Sequence, residues 1–523
     1  MNRRLAAAGI TTPAIGRPSA ATFPATVRGL VSAALAAGLL VGCGGGGGGG
    51  SSATDGAQVC APTNPYVADA TAPTTTGSLT SEKVWLRSYM GDAYLWFGEI
   101  PSVDAQAASF SNTADVYGSL RNYFRALLTP ARTASGAYKD RFSFTYPTRA
   151  WNDLASSGSS ASYGIEWYAN SWDTVPRGIR IATVEVGSPA AAAGLQRGDV
   201  LISADGTGAD STSDSGISTL NAALFPADAG RSHQFVFSRG GSSLPTQTLV
   251  SADVIKDPVP TRTVFDNGGV RYGYIVFTDH IASSEAKLIE AVNYLKAQSA
   301  QELVLDLRYN GGGYLYLASE LAYMIAGPTP TSGKAFERLV YNSKRTAENN
   351  TTPFYSVSCL LDTNFDCTSQ QPLPTLNLSR VSVITSASTC SASEAIVNGL
   401  RGVGIDVRLI GGTTCGKPYG FTAKDNCGIS YFPIEFKGEN QVGFSDYSDG
   451  FPATCPASDD FVHALGDADE GMLNAAIYNL QNDACDLSAA QAARRSLLAA
   501  GPHAAPRLLR GPHRESRIVL PRR

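Results

Sequence analysis

From residue 270 onward, short apolar runs typical of buried strands alternate with runs of helical periodicity. ELVLDL at 302–307 is almost continuously apolar, as expected for a strand that is covered on both faces. RVSVIT at 380–385 has the same character, and a helix is predicted between them at 315–325. Alternation of this kind predicts an α/β core, which we place at residues 257–485.

Residues 151–256 have a different pattern, in which short β-prone runs alternate with Gly, Ser and Asp turns. At the centre of this region lies VGSPAAAAGLQRGDVLISADG, residues 186–206. Pro189 is suited to the first turn of a short alanine-rich helix, and Gly194 is suited to its end. This segment resembles a PDZ domain.

The PDZ resemblance has an implication for peptide binding. YGIEW lies where such domains place the loop that receives the C-terminal carboxylate of a peptide. The resemblance therefore implies Tyr163, Gly164 and Ile165 as peptide-binding residues. The peptide would add as an extra strand at the edge of the sheet.

Ser391 lies where the loop SASTC turns into a helical run at 391–402. The first N–H groups of a helix lack intrahelical partners and can stabilise a developing oxyanion. A serine hydroxyl is a poor nucleophile unless a base lies nearby. The same position also suits an ordinary helix cap, and the local sequence leaves both interpretations open.

Lys417 lies in a Gly-Lys-Pro turn that follows a strand predicted at 407–412. A lysine serves as a general base only where burial lowers its pKa towards neutrality. An exposed loop lysine is the alternative interpretation. Because Ser391 and Lys417 each follow the end of a strand, they can meet at one edge of an α/β sheet.

The sequence DLRYNGGG supplies a third group of residues. Asp306 and Arg308 follow a buried strand and are predicted to pair with one another or with neighbours. Gly311, Gly312 and Gly313 permit close backbone approach and offer N–H donors. The phosphate-loop pattern GxxxxGK[ST] does not occur here.

Together these motifs resemble the carboxyl-terminal processing (tail-specific) serine proteases. The hallmarks occur in the order of that family over roughly residues 78–440: KDRFSF, GSPAAAAGLQRGDVL, LVLDLRYNGGG, SASTCSASEA and GGTTCGKPYG. The resemblance implies a multi-domain α/β protein with a ClpP/crotonase-like core. The PDZ-like domain and a small helical domain at 77–150 would precede that core.

The resemblance also assigns roles by position. Ser391 matches the nucleophile and Lys417 the general base, without a metal or another cofactor. The N–H groups of Ala392 and of Gly311 or Gly312 would form the oxyanion hole.

Several residues depart from the family pattern. Phe421 stands where many members place a glutamine that orients the lysine. Glu394 follows the nucleophile closely, but its helical spacing predicts that it points elsewhere.

The tricorn-like relatives use histidine as the base; His280 is predicted to be structural or solvent-facing instead. A disulfide at Cys390 or Cys415 would hold the geometry of the site or make it sensitive to redox conditions.

The N-terminus resembles a bacterial lipoprotein signal. Arg28 precedes a 12-residue apolar run, which ends in the lipobox-like sequence Leu-Val-Gly-Cys at Cys43. We expect residues 1–42 to be an export signal and Cys43 to carry lipid; an ordinary cleaved signal is the alternative. Residues 43–76 read as a flexible tether. The protein is therefore expected in the bacterial cell envelope, lipid-anchored on the periplasmic side.

Eight cysteines remain when Cys43 is set aside, and an even number in an exported protein indicates disulfides. Their connectivity cannot be read from sequence, although two local pairs are candidates: Cys359–Cys367 and Cys415–Cys427. A zinc site is less favoured because no CxxC motif occurs.

Charge is distributed unevenly along the chain. Residues 1–42 carry +4 and residues 486–523 carry +6, which leaves −14 on the body between them. This negative net charge of residues 43–485 argues against nucleic acid as a partner. The Ala/Pro/Arg-rich tail at 486–523 is predicted to be disordered.

These observations favour an exported serine endopeptidase that acts on unstructured or tail-presented proteins with apolar C-termini. A catalytically inactive, PDZ-containing peptide-binding lipoprotein is the alternative, and the missing glutamine favours it. An acyl-CoA enzyme of the crotonase type would rest on core similarity alone.

Overall fold

A computed structural model describes residues 56–171, 173–360, 367–500 and 506–509, with only the backbone described for 494–500. The predicted export signal and the predicted lipid-attachment residue Cys43 lie outside the described residues. Among the residues that are described, no helix has both the length and the apolar character needed to cross a membrane.

The N-terminal elements pack on the α/β core. Ser78 caps the N-terminus of the first helix, because its hydroxyl accepts a hydrogen bond from the N–H of Ser81. The apolar cluster of the first two helices also contains Ile429, Tyr431 and Ile434 from the core. The elements are β1 (Val59–Cys60), β2 (Thr75–Thr76), α1 (Leu79–Ala93), α2 (Val116–Ala126), β3 (Phe144–Pro147) and α3 (Thr148–Ser157).

The predicted flexible tether is wrong for residues 56–76. There β1 and β2 pair in parallel, and Cys60 is buried and bonded to Cys427. A covalent link to the core and a paired backbone are incompatible with a free tether. The glycine run that prompted the prediction lies outside the described residues.

The PDZ-like sheet follows and has the strand order β10-β9-β7-β6-β5-β25, in which β25 is Arg507–Leu508; β11 pairs with β9 and β8 with β7. As predicted, Pro189 opens a short helix, and Gly194 follows it with a positive φ of 69°. The elements are β4 (Ser159–Ser162), β5 (Ile165–Ala169), β6 (Arg180–Val184), α4 (Pro189–Ala192), β7 (Val200–Ala204), β8 (Thr207–Gly208), α5 (Asp214–Leu224), β9 (Ser232–Arg239), β10 (Ser242–Ser243), β11 (Gln247–Val250) and β12 (Ala252–Ile255).

The α/β core has a six-stranded sheet in the order β13-β14-β15-β18-β19-β24. Its first pair is antiparallel and the others are parallel. The elements of the whole α/β core are β13 (Thr261–Asn267), β14 (Val270–Val276), α6 (Ser284–Ala297), β15 (Glu302–Asp306), α7 (Leu315–Ala326), α8 (Pro328–Thr331), β16 (Ala335–Tyr341), β17 (Asn350–Pro353), β18 (Arg380–Thr385), α9 (Ala392–Gly402), β19 (Asp406–Gly411), β20 (Tyr419–Gly420), β21 (Lys424–Asn426), β22 (Ile429–Phe432), β23 (Phe436–Glu439), β24 (Cys455–Pro456) and α10 (Gly471–Asn482).

Helices cover both faces of this sheet. Leu303 and Leu305 of β15 face the cluster formed with α6, α7 and α9, whereas Val304 faces the cluster formed with α10. The multi-domain α/β prediction is therefore confirmed. Two smaller sheets complete the core, β17-β16-β23-β20 and β21-β22-β3.

The tail prediction is wrong for the parts of residues 486–523 that the structure describes. Helix α11 spans Leu487–Ala500, and β25 (Arg507–Leu508) pairs antiparallel with β5. Leu508 and Leu509 are buried. The high arginine content led to the prediction of disorder, although Leu508 and Leu509 form a short apolar segment whose partner strand is β5.

Four disulfides pair all eight cysteines of the described chain. The predicted Cys359–Cys367 bridge is confirmed. The predicted Cys415–Cys427 bridge is wrong, because folding brings each of these residues to a partner farther away in sequence. The observed bridges are Cys60–Cys427, Cys359–Cys367, Cys390–Cys415 and Cys455–Cys485.

Candidate active site

Ser391 lies at a strained turn between β18 and α9. Its φ of 58° and ψ of −117° are unusual for a residue with a side chain. Two ordinary cap serines of this chain, Ser188 and Ser213, have extended backbones with φ of −78°. Ser391 thus starts its helix from a different geometry, that of a strand–turn–helix elbow, which presents a side chain outward.

The buried carboxylate of Glu394 joins this turn to the loop of Lys417. Its Oε2 accepts hydrogen bonds from the N–H of Ser391 at 3.0 Å and from the N–H of Lys417 at 2.8 Å. Its Oε1 accepts from Thr414 Oγ1 at 2.5 Å and from Gly416 N–H at 2.8 Å. Burial raises the pKa of this carboxyl, and the hydrogen bonds that it accepts oppose the shift.

The prediction that Glu394 points away from the site is wrong. Glu394 is the third residue of α9, and a side chain there can fold back to the N-terminal N–H groups of its own helix. The spacing Ser-x-x-Glu is a capping-box signature that could have revealed this contact from sequence.

Lys417 is buried, with 8% of its surface exposed. Its ammonium lies 4.1 Å from the ring centroid of Phe421 and 5.6 Å from that of Phe142. The residue that replaces the usual glutamine therefore contacts the lysine through its ring face. Arg141, within the KDRFSF motif, holds the same loop by donating to the carbonyl of Cys415 at 2.8 Å.

A disulfide between Cys390 and Cys415 is a second connection between the turn of Ser391 and the loop of Lys417. These cysteines lie one residue before Ser391 and two residues before Lys417. Both sulfurs lie near the Glu394 carboxylate. Because the sulfurs are bonded to one another, they are not available as thiolate metal ligands.

The glycine loop lies directly against Ser391. Gly312 has a φ of 89°, and a Cβ there would lie 2.8 Å from the Cβ of Ser391, so only glycine fits. The N–H of Gly312 donates to Asn310 Oδ1 at 2.9 Å. This hydrogen bond engages Gly312, one of the two predicted glycine donors, within its own loop.

Asn310, which sequence reasoning missed, links the glycine loop to the turn that carries Ser391. Its carbonyl accepts from Cys390 N–H and from Ser393 Oγ, each at 3.1 Å. Its side chain bonds to Nδ1 of His280 at 3.0 Å and to the carbonyl of Phe277.

His280 is buried behind the glycine loop rather than solvent-facing. Burial lowers the pKa of its imidazole to about 4. The main-chain N–H of His280 donates to the carbonyl of Gly312, and the main-chain carbonyl of His280 accepts from the N–H of Tyr314. These contacts agree with the predicted structural role.

Arg308 is the centre of a buried ionic network behind the site. It pairs with Asp306, Asp459 and Glu470, as the sequence predicted in part. Burial alone would lower the pKa of this guanidinium, but the three carboxylates raise it. Arg197, from the PDZ-like region, binds Asp459 at 2.5 Å, which couples that region to the core.

The predicted peptide-binding residues lie just before and at the start of β5, a strand that pairs with β6 on one side and with β25 on the other. Tyr163 is buried, and its carbonyl accepts from the N–H of Ala190. Gly164 has a φ of 76°, and a Cβ there would collide with Ser188. Ile165 begins β5.

The chain combines an α/β core, in which Ser391 lies on a strained strand-to-helix turn, with a PDZ-like sheet. The family comparisons agree: residues 271–424 match the model of peptidase family S41, and residues 180–214 match that of a PDZ domain. Two regions of the chain therefore match an S41 peptidase and a PDZ domain, which confirms the resemblance seen in the motifs.

Individual relatives point the same way. A carboxyl-terminal-processing protease from Picosynechococcus sp. is 30% identical over 271 residues, covering 50% of this chain and 56% of that protein. Carboxyl-terminal-processing peptidase 2, chloroplastic, from Arabidopsis thaliana is 27% identical over 178 residues, or 33% of each protein. The matches therefore span only a third to just over half of the length of these relatives.

A solved structure supports the fold. The crystal structure of an S41 protease from Bacteroides fragilis aligns with a TM-score of 0.57 at 22% identity. The alignment covers 76% of this chain and 97% of that one.

Proposed function

We propose that this chain is an exported serine endopeptidase of the carboxyl-terminal processing type, with Ser391 as nucleophile and Lys417 as general base. The observation that carries the proposal is the strained backbone of Ser391, tied through Glu394 to the main chain of Lys417. A serine that only capped α9 would not need this conformation, as Ser213 illustrates.

In the proposed mechanism, Ser391 Oγ attacks the scissile carbonyl carbon while its proton passes to the neutral amine of Lys417. The carbonyl electrons move onto oxygen, where the N–H groups of Ala392 and Gly311 stabilise the negative charge. The C–N bond then breaks as the ammonium returns the proton to the leaving amine. Water, deprotonated by the lysine, hydrolyses the acyl-enzyme and releases Ser391.

The substrates would be unstructured segments of proteins. The PDZ-like domain would recruit apolar C-terminal tails through Tyr163, Gly164 and Ile165, by adding the peptide as a strand to β5. Such recruitment would raise the local concentration of the substrate beside the nucleophile.

A serine-reactive probe and the cleavage of an unfolded protein test this proposal. Wild-type protein should be acylated at Ser391 and should cleave the unfolded protein, whereas Ser391→Ala and Lys417→Ala should lose at least about 10³-fold in kcat/KM. Ser213→Ala is the matched control, because it removes an ordinary helix cap and should leave proteolysis unchanged. Activity that survived in both site variants would refute the dyad.

A catalytically inactive peptide-binding lipoprotein is the second candidate. The contact between Phe421 and Lys417 favours it, because an aromatic face stabilises a protonated lysine, which is not a base. Wild-type protein that binds peptides but is neither acylated nor proteolytic would support this alternative.

Export and lipid anchoring at Cys43 are proposed separately. The pairing of eight cysteines into four disulfides suits an oxidising compartment. Metabolic labelling with a fatty acid should mark the wild type, and Cys43→Ser should lose the label and leave the membrane fraction. Equal membrane association of the two proteins would contradict the anchor.

A further inference from the structure

The outer edge of the PDZ-like sheet is covered by a segment from the C-terminal part of this chain. Arg507 and Leu508 pair antiparallel with Ala169 and Tyr168 of β5. Because the pairing is antiparallel, the segment runs towards Tyr163, at the start of the predicted peptide-binding loop. An extended peptide bound by strand addition would take this position and direction.

The two leucines of this segment fill two different apolar environments. Leu508 is 1% exposed and packs with Tyr168 and Ala182 of the PDZ-like sheet and with Tyr309 of the core. Leu509 is 2% exposed and belongs to the apolar core of the PDZ-like sheet. Successive residues of a strand point to opposite sides, so both leucine pockets are used at once.

The same segment also contacts the loop that carries the nucleophile. The N–H of Leu509 donates to the carbonyl of Trp167 at 2.8 Å, which extends the β5 pairing. On the other edge, the N–H of Leu508 donates to Ser388 Oγ at 2.9 Å. Ser388 lies three residues before Ser391, so the segment bridges the PDZ-like edge and the nucleophile loop.

We propose that residues 506–509 are a built-in ligand of the PDZ-like domain, which occupies the peptide-recognition edge and competes with incoming substrate. The ligand class that this site takes is an extended peptide with two consecutive leucine-like side chains. Arg510 follows Leu509 in the sequence, so the bound segment is internal and needs no free C-terminal carboxylate. The effect on proteolysis rests on the proposed peptidase function, whereas the binding does not.

Peptide binding to the full chain tests the proposal. The probe is a fluorescein-labelled peptide with the sequence of residues 503–512, HAAPRLLRGP, and the protein carries Ser391→Ala to prevent cleavage. We expect Leu508→Asp/Leu509→Asp to bind the peptide at least about tenfold more tightly than the parent chain, because a tethered competitor is removed. Leu487→Asp is the control, because it places the same acidic group on an exposed leucine and should leave the affinity unchanged.

Thermal unfolding provides the second measurement. The free peptide should raise the Tm of the double-aspartate variant, because it refills the vacated edge, whereas a peptide with both leucines replaced by aspartate should not. Equal affinity in parent and variant would overturn the proposal. A variant that stayed unfolded even with saturating peptide would also overturn it, because the segment would then be an integral strand rather than a displaceable ligand.

Proteolysis by the chain with Ser391 intact separates this inference from the proposed function. The double-aspartate variant should show at least about a threefold lower KM for an unfolded protein, with little change in kcat. If the intact chain proved inactive while the peptide bound as expected, the peptidase proposal would fail and the internal ligand would stand. Activity with an unchanged KM would overturn the competition.

Discussion

The main-chain N–H groups of Ser391 and Lys417 donate to the same oxygen atom, Oε2 of Glu394. One buried carboxylate therefore determines the positions of two loops that come from the ends of different strands. The Cys390–Cys415 disulfide connects the same two loops covalently. Ser391 and Lys417 are thus positioned through their backbones by a shared acceptor.

Glu394→Gln should disrupt this arrangement with little change in volume. A glutamine offers one oxygen, so its NH₂ group would face either the N–H groups of Ser391 and Lys417 or the N–H of Gly416 and the hydroxyl of Thr414, and at least one N–H donor would lose its acceptor. We expect kcat/KM to fall roughly 100-fold through misplacement of the loops, with a loss of about 2 kcal/mol in the free energy of unfolding. Steady-state kinetics and denaturant unfolding measure the two effects. Glu302→Gln, remote from the site, should retain kcat/KM; equal losses in both variants would contradict the positioning role.

Removal of the Cys390–Cys415 bridge should affect activity as well as stability. The double change to alanine opens a loop of 25 residues and should cost about 3 kcal/mol by chain entropy. Removal of Cys455–Cys485, with a separation of 30 residues, should cost a similar amount. Only the first pair adjoins the site, so only its loss should lower kcat/KM. A comparable loss of activity in both double variants would contradict a local role for the bridge.

Phe421→Leu should change the pH dependence of proteolysis. Leucine keeps much of the volume but lacks the aromatic face that contacts the Lys417 ammonium at 4.1 Å. Losing that stabilisation of the protonated form should move the acidic limb of kcat/KM to lower pH, by roughly half a unit to one unit. Phe142→Leu, at 5.6 Å, should shift the limb less. A shift to higher pH in the first variant would show that the ring does not stabilise the ammonium.

The buried glutamates predict stability that falls as pH rises. Burial raises the pKa of Glu320 to about 9, and the neighbouring Glu285 adds to the shift. Because the folded state holds a proton that the unfolded state releases above its ordinary pKa, stability declines between about pH 4.5 and pH 9. Each such group contributes up to about 1.4 kcal/mol per pH unit.

Glu320→Gln should therefore flatten the dependence of the unfolding free energy on pH between 6 and 9. Chemical denaturation at several pH values measures the slope. Glu290→Gln, which changes a more exposed glutamate, should leave the slope as in the wild type. An unaltered slope in the Glu320 variant would show that this carboxyl is not protonated in the folded protein.

The regular elements of the core could be predicted because each depends on a local pattern. The strand at 380–385 was predicted with the bounds that the structure shows, and the helix at 315–325 lacked only one residue. Continuous apolar runs indicated strands buried on both faces, which the clusters around Leu303 and Val304 confirm. Periodicity is a property of neighbouring residues, so sequence is enough to reveal it.

Contacts between distant residues could not be read in the same way. Cys60 and Cys427 are 367 residues apart, and no spacing rule predicts their pairing. Asn310 carried no local signal for its place between the glycine loop and the turn of Ser391. The composition of residues 486–523 predicts a solvated basic segment, whereas Leu508 and Leu509 are buried beside β5.

The sequence by itself determined the α/β class, the PDZ-like segment and the two loops that carry Ser391 and Lys417, because motifs and periodicity are local properties. Only the tertiary structure decided that Glu394 joins those loops, which cysteines pair, and that residues 506–509 cover β5. These outcomes depend on which distant groups folding brings within hydrogen-bond or packing distance. A burial pattern in one segment cannot specify its partner in another.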